Sequence, residues 1–336
     1  MPRIRAPARN DRLTGADQMT VEPDIAAPPL IETRRGVPLG YAFAAAGALL
    51  FSTKAIIVKL AYDMNVAPDT LLALRMGFSL PCYLAIGFVA IQVRQRKGLA
   101  IPPLQPAISA MLIGVLGMWF ASYSDFLGLQ YISAQFERLI LFTYPLFVVI
   151  FGALFFGQRI RLTTTLGLGV SYAGLALIFT EHFSLEGQSV LVGAAFIIAA
   201  AISFAFYQLL AKDAIQRLGP GLFTCIAMTG ASLAAFLEFF LRHDAGALLV
   251  SGPLLAYSLV LALGATVLPS FFMNAALHRI SPQANAAIGF LGPIATTVLA
   301  VIILDETLSL TGVIGTALVL VGVGWFTLSE STPIAG

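Results

Sequence analysis

Five ionisable residues stand inside stretches that are otherwise apolar: Lys54, Arg75, Asp125, Glu137 and Arg138. A lone charge at the centre of a bilayer costs about 2.5 kcal/mol or more, so such groups turn toward one another or toward a polar cavity. Two kinds of chemistry follow from these types. Lys54, Arg75 and Arg138 could receive an anionic or carboxylate group. Asp125 and Glu137 could carry a coupling proton, because burial disfavours the charged form of a carboxylate unless a cation opposes it. The plainer readings are that the long basic side chains snorkel to the headgroups, and that Glu137 forms a structural ion pair with Arg75 or Arg138.

Aromatic and amide side chains at similar depth complete a candidate pocket: Trp119, Tyr123, Tyr144, Tyr207, Gln208, Phe271 and Asn274. Tyr144 precedes Pro145, and Asn274 carries an amide that hydrocarbon penalises unless it is paired. Catalytic chemistry finds less support. His182, His243 and His278 all fall at the ends of apolar segments, and the nearest approach to a G-x-S-x-G motif is Gly169-Val170-Ser171-Tyr172-Ala173. Cys82 and Cys225 have neither metal spacing nor a disulfide framework. No metal or cofactor is expected. The sequence holds no nucleotide-binding loop, so ATP is not the expected energy source. The basic residues form no patch with interleaved aromatics, which argues against a nucleic-acid partner.

The segments that must position these groups are membrane spans. Hydrophobic residues make up 58% of 336 positions and charged ones 11%, against about 25% charged in soluble domains. Ten spanning segments can be placed, at roughly 38–60, 69–93, 106–129, 132–156, 163–181, 190–211, 221–241, 253–277, 283–304 and 311–328. Pro81, Pro145, Pro269 and Pro293 fall inside them, with Pro145 and Pro293 as candidate hinges. Residues 1–37, rich in arginine, acidic residues and proline, read as a disordered cytoplasmic tail, and 329–336 as a short second tail.

One pattern occurs twice, 148 positions apart. Ile132-Ser133-Ala134-Gln135 reads again as Ile280-Ser281-Pro282-Gln283, Phe142 pairs with Phe290, and Pro145 with Pro293. Leu162-Thr163 pairs with Leu310-Thr311, Gly167 with Gly315, and Gly174 with Gly322. The two copies, 38–181 and 190–328, would each contribute five spans. Repeats of this kind are the usual trace of transporters whose halves rock about a central site.

Charge fixes an expected orientation. With the N-terminus in the cytoplasm, Arg94, Arg96, Lys97, Arg159, Arg161, Lys212, Arg217 and Arg279 join the arginines of the tail on the inner side. Only Lys59 and Arg242 face out, so both termini are expected inside. The basic loop Gly157-Gln158-Arg159-Ile160-Arg161 aligns with the acidic Asp305-Glu306-Thr307-Leu308-Ser309, as an inversion of the halves requires. The intramembrane charges break the symmetry: Glu137 and Arg138 align with Asn285 and Ala286, and Lys54 with Tyr207 at the offset of 153 that links the first spans of the two halves.

The run from Ser133 through Glu137-Arg138 to Tyr144-Pro145 resembles the fourth span of EamA-type members of the drug/metabolite transporter superfamily. Asp305-Glu306-Thr307-Leu308-Ser309, followed by Gly315 and Gly322, resembles that family's second hallmark, from which the first copy departs with Gln158 in place of Glu306. The resemblance covers about residues 38–328. It implies an all-α polytopic protein with ten helices in two inverted five-helix repeats around a central cavity. It also implies export or exchange of small metabolites, amino acids among them, with Arg75, Glu137 and Arg138 shaping the cavity. The expectation is a secondary transporter of a small polar or amphiphilic solute, proton-linked, in the lipid bilayer of a bacterial inner membrane. A lipid-handling or sensory protein on the same scaffold, or an intramembrane enzyme, would be the alternative.

Overall fold

The structure, a computed structural model, describes residues 36–98, 102–157, 162–186, 188–289, 291–307 and 309–331. The N-terminal tail up to residue 35, and the loop residues Gln158, Arg159, Arg161 and Leu308, lie outside the described residues. All regular structure among the described residues is helical. The chain runs through α1 (Val37–Tyr62), α2 (Pro68–Arg96), α3 (Leu104–Gly114), α4 (Ala121–Gly128), α5 (Ala134–Leu141), α6 (Tyr144–Phe156) and α7 (Leu162–Glu186). It continues through α8 (Ser189–Leu218), α9 (Pro220–Arg242), α10 (Gly252–Ala262), α11 (Leu268–Arg279), α12 (Pro282–Ile288), α13 (Leu291–Leu304) and α14 (Leu310–Ser331).

Eight helical stretches among the described residues are long and apolar enough to cross a membrane. They are α1, α2, α3 through α4, α5 through α6, α8, α9, α10 through α11 and α12 through α13. The segments expected at 163–181 and 311–328 are helical too, but their apolar stretches among the described residues are shorter, Gly169–Ile178 and Leu310–Gly322. Helix α8 outruns its expected end at 211 because Lys212 is held: its Nζ donates to the carbonyls of Leu277 (2.6 Å) and Ile280 (2.9 Å). These belong to the last turn and C-cap of α11, where a cation is favoured by the helix dipole.

Several spans are not single helices. A π-helical segment, Val115–Phe120, joins α3 to α4, and another, Leu263–Val267, joins α10 to α11. The fourth span breaks at Phe142 and Thr143, and the ninth after Ile288. Val115 and Leu263 stand at the offset of 148 found in the sequence, as do the starts of α5 and α12. Of the four prolines expected inside spans, only Pro81 lies in the interior of a helix, and α2 continues through it. Pro145 and Pro269 occupy the first turns of α6 and α11, and Pro293 that of α13. The ring's missing N–H costs nothing there, so these prolines restart helices rather than kink them.

Close approach of small residues sets the packing. Helices α7 and α14 lie against each other in antiparallel order, Gly174 near Gly315 and Gly167 near Gly322. A Cβ on Gly174 would stand 2.5 Å from the carbonyl oxygen of Gly315. Between these contacts Ser171 Oγ donates to the carbonyl of Val319 at 3.2 Å, its own counterpart in the second copy. Other helices pair as α2 with α9, α1 with α11, and α4 with α8. Such packing is driven by van der Waals fit rather than by the hydrophobic effect, which is weak between helices in lipid. Gly174→Val should therefore lower thermal stability in detergent by about 1–3 kcal/mol. Gly169→Ala, where a Cβ meets nothing within 4 Å, should leave the melting temperature within a degree or two of the parent, about ±0.5 kcal/mol.

Candidate functional site

The buried charges gather around Lys54. Its Nζ lies 2.5 Å from Asp125 Oδ2 and 3.5 Å from Glu137 Oε1. The lysine is 3% exposed, Asp125 2% and Glu137 0%, so the group is withdrawn from lipid and water alike and snorkelling does not describe it. Three elements supply it: α1, the middle of α4 and the first turn of α5. Glu137 therefore pairs with Lys54, and not with Arg75 or Arg138 as the sequence suggested. Arg138, the next residue along α5, meets the same helix α1 at another position, its Nη2 donating to Ser52 Oγ at 3.2 Å. One ring, Phe51, lies under both cations, 5.4 Å from Lys54 Nζ and 5.7 Å from the Arg138 guanidinium carbon. That cation–π contact offsets part of the desolvation cost.

Arg75 stands apart. Fully buried, it donates from Nε to Thr266 Oγ1 at 2.7 Å and stacks 5.4 Å from the Phe126 ring. Thr266 lies in the second π-helical segment and also donates to the carbonyl of Leu261, five residues back. The guanidinium thus ties α2 to the irregular part of the eighth span.

A partly open cavity lies beside the cluster. Lys54, Asp125 and Arg138 supply its charged wall, Ser122, Tyr144 and Asn285 its other polar groups, and Phe51, Phe142 and Phe204 its rings. Along α1 it extends from Lys54 back to Ala44, and along α11 it reaches Pro269 and Met273. Arg138 Nε and Asp125 Oδ1 have no hydrogen-bond partner among the described residues. Tyr144 is held across the cavity, its hydroxyl donating to the carbonyl of Ala286 at 3.0 Å. Apolar rings flanking a few convergent polar groups are the usual make-up of a small-molecule site.

The remaining sequence candidates lie elsewhere. Tyr207 donates to Asn274 Oδ1 at 2.9 Å, and Asn274 Nδ2 donates to Thr224 Oγ1 at 2.9 Å, a buried bridge joining α8, α11 and α9. Trp119 stacks on Tyr123, with centroids 6.2 Å apart. The Tyr123 hydroxyl accepts from Arg242 at 2.7 Å, and Arg242 also pairs with Glu238 at 3.1 Å, near the end of α9. Phe271 packs on Tyr83. Pro145 and Pro293 flank the two helix breaks. Ser52, Ser122 and Asn285 escaped the sequence reading as site residues. For Asn285 the signal was available, since it is the repeat counterpart of Glu137. It lines the same cavity and donates from Nδ2 to Gln208 Oε1 at 2.9 Å.

Residues 38–180 and 191–328 each match the EamA-like transporter family. The chain belongs to that family and is a multi-pass membrane transporter. It is 31% identical to the uncharacterized transporter YcbK of Bacillus subtilis over 294 residues, 84% of this chain and 90% of that protein. To the uncharacterized inner membrane transporter YedA of Escherichia coli K12 it is 24% identical over 274 residues, 75% of this chain and 83% of that protein. A solved crystal structure, 19% identical, superposes with a TM-score of 0.63 over 89% of this chain and 99% of the other, and so shares its fold.

Removing one partner of a buried ion cluster leaves the others uncompensated, at about 3–5 kcal/mol. Lys54→Met should destabilise the protein by that order in thermal unfolding, and the double variant Lys54→Met with Asp125→Leu should recover part of the loss. Equal instability of the single and double variants would mean that Asp125 does not depend on Lys54.

Proposed function

We propose that this chain is a secondary active transporter, an exporter or exchanger, built from two inverted five-helix repeats at 38–181 and 190–328 with both termini in the cytoplasm. The recurrence of helix irregularities at the repeat offset supports that symmetry, as does the bond between Ser171 and its own counterpart Val319. Contact between equivalent positions is what a two-fold relation between halves requires on its axis. Pro145 and Pro293 serve as hinges, because each restarts a helix beside a break where the hydrogen-bond ladder is already interrupted.

The cargo is a small polar or amphiphilic metabolite bearing a carboxylate, amino acids and related compounds being the first candidates. The observation that carries this is the wall of the cavity. Lys54 is already matched by two carboxylates, and Arg75, although its Nη1 and Nη2 also lack partners among the described residues, does not line the cavity. Arg138, in the cavity wall with an unpartnered Nε, is the cation that receives the carboxylate. Once the carboxylate pair has released its proton, Asp125 Oδ1 is open to a cationic group on the same solute, and the rings of Phe51, Phe142 and Phe204 cover an apolar body. Lys54 and Tyr144 complete the binding wall. Arg75, Tyr207, Asn274, Trp119 and Tyr123 act on binding through the packing of the helices that form it.

Transport is proton-linked. Asp125 Oδ1 and Glu137 Oε2 accept no hydrogen bond from any donor among the described residues, and one proton held by this pair of carboxylates supplies the missing donor. Protonation of either would loosen its hold on Lys54 and change the charge offered to the solute. Counterflow in proteoliposomes, with labelled amino acids and nucleosides under an imposed pH gradient, tests both readings. Saturable, gradient-sensitive flux of at least one carboxylate-bearing solute is expected, and none for any of them would overturn the substrate class. Arg138→Ala should raise the apparent KM by about tenfold or more, since a hydrogen bond to a charged group is lost. Glu137→Gln should abolish the pH dependence, and an unchanged pH profile would clear Glu137 of proton transfer.

A further inference from the structure

Glu306 touches neither the cavity nor the charge cluster. Its carboxylate lies at the start of α5, where Oε1 accepts from the Ala134 amide at 2.9 Å and Oε2 from the Gln135 amide at 3.2 Å. Ser133 Oγ accepts from the next amide, that of Phe136, at 3.2 Å. The first amides of any helix lack partners inside it. A serine N-cap is the common local answer to one of them. Here the other two are answered by a residue from the second copy of the repeat, 172 positions away in sequence.

Helix α5 is eight residues long, ends at the break before α6, and carries both Glu137 and Arg138. It is a short rod with little helix of its own to hold it. Its cavity-lining residue Arg138, with Leu141, Phe142 and Tyr144 beyond it, lies toward the C-terminal end, whereas the Glu306 contact fastens the opposite end. The loop between α13 and α14 is thereby tied to the rod that bears the charges. Bonds to a carboxylate are about twice as strong as neutral ones, and an anion at a helix N-terminus is further favoured by the dipole.

We propose that Glu306 is a latch between the two halves, closing the end of the bundle away from the cavity and positioning Glu137 and Arg138 while it is closed. Opening that end releases the Ala134 and Gln135 amides. The proposal rests on the alternating-access reading above. The repeat adds an independent argument. At the opposite end Ser281 caps α12, its Oγ accepting from the Ala284 amide at 3.1 Å, as Ser133 caps α5. The residue that corresponds to Glu306 is the neutral Gln158, which lies outside the described residues. The two copies thus differ in sequence, a carboxylate at one position and an amide at its counterpart. The closed state proposed is the one in which the Glu306 contact is made.

The test uses the full chain in lipid nanodiscs, with Cys82 and Cys225 replaced by alanine and spin labels on Gln130→Cys and Leu310→Cys, both exposed positions on either side of the latch. Glu306→Ala should speed amide exchange over residues 134–136 by about tenfold and enlarge the long-distance population in the spin–spin distance distribution. Glu306→Gln, nearly isosteric, should shift both in the same direction by less, and it carries the test if the alanine variant does not fold. Faster exchange with an unchanged distance distribution would reduce Glu306 to a helix cap and overturn the latch. Unchanged exchange would remove the contact itself. Neither measurement needs a solute, so failure of the latch is separable from failure of the transport assay.

Discussion

The arrangement turns on the requirement that a charge withdrawn from water be met by another charge or by a dipole. Lys54 is met by Asp125 and Glu137, Arg138 by Ser52 and the face of Phe51, and Arg75 by Thr266 and the face of Phe126. Each solution draws different helices together: α1 with α4 and α5 in the first case, α5 with α1 in the second, α2 with the segment between α10 and α11 in the third. The polar groups thus hold together the helices around the cluster, while close glycine contacts join pairs such as α7 and α14.

Breaks in the helices are where this becomes possible. A continuous helix satisfies its own backbone and offers the interior only side chains. The π-helical segments and the interruptions before α6 and α13 expose backbone groups and turn short helices toward the cavity. Irregular backbone at membrane depth is tolerated where it is buried in protein or lines a cavity. Both conditions are met: Tyr144, at the first break, bonds the carbonyl of Ala286, near the second. The α5 rod in turn depends on Glu306 and Ser133 for its N-terminus, so the charges rest on hydrogen bonds made well outside the cavity.

Much of this was legible in the sequence. Charges in apolar surroundings named Lys54, Asp125, Glu137 and Arg138, and the repeat paired Pro145 with Pro293, which flank the two helix breaks. What the sequence withheld was rotation. Helices apolar all round carry almost no amphipathic signal, so nothing fixed which face of α3 or α4 met the cavity. Trp119 and Tyr123 accordingly turn toward Arg242 instead. The choice of partner for Glu137 failed for the same reason, since adjacency in sequence to Arg138 says little about adjacency across a helix. Tyr207 and Asn274, candidates for the pocket in the sequence, bond each other in a bridge between helices and do not line the cavity. The reach of Glu306 to α5 is a contact between distant parts of the chain that no local pattern encodes.

The confinement of Lys54, Arg75, Asp125, Glu137 and Arg138 to one half of the repeat has an electrical consequence. Three of these side chains are cationic and two anionic, so the half that carries them is not neutral while its counterpart has no matching set. Carrying one elementary charge across 100 mV is worth about 2.3 kcal/mol. A displacement of that half through only part of the field still exchanges work with the membrane voltage. On the alternating-access reading, broken symmetry would give the two directions of motion different energies even with the cavity empty, and the voltage would act on the protein as well as on its cargo.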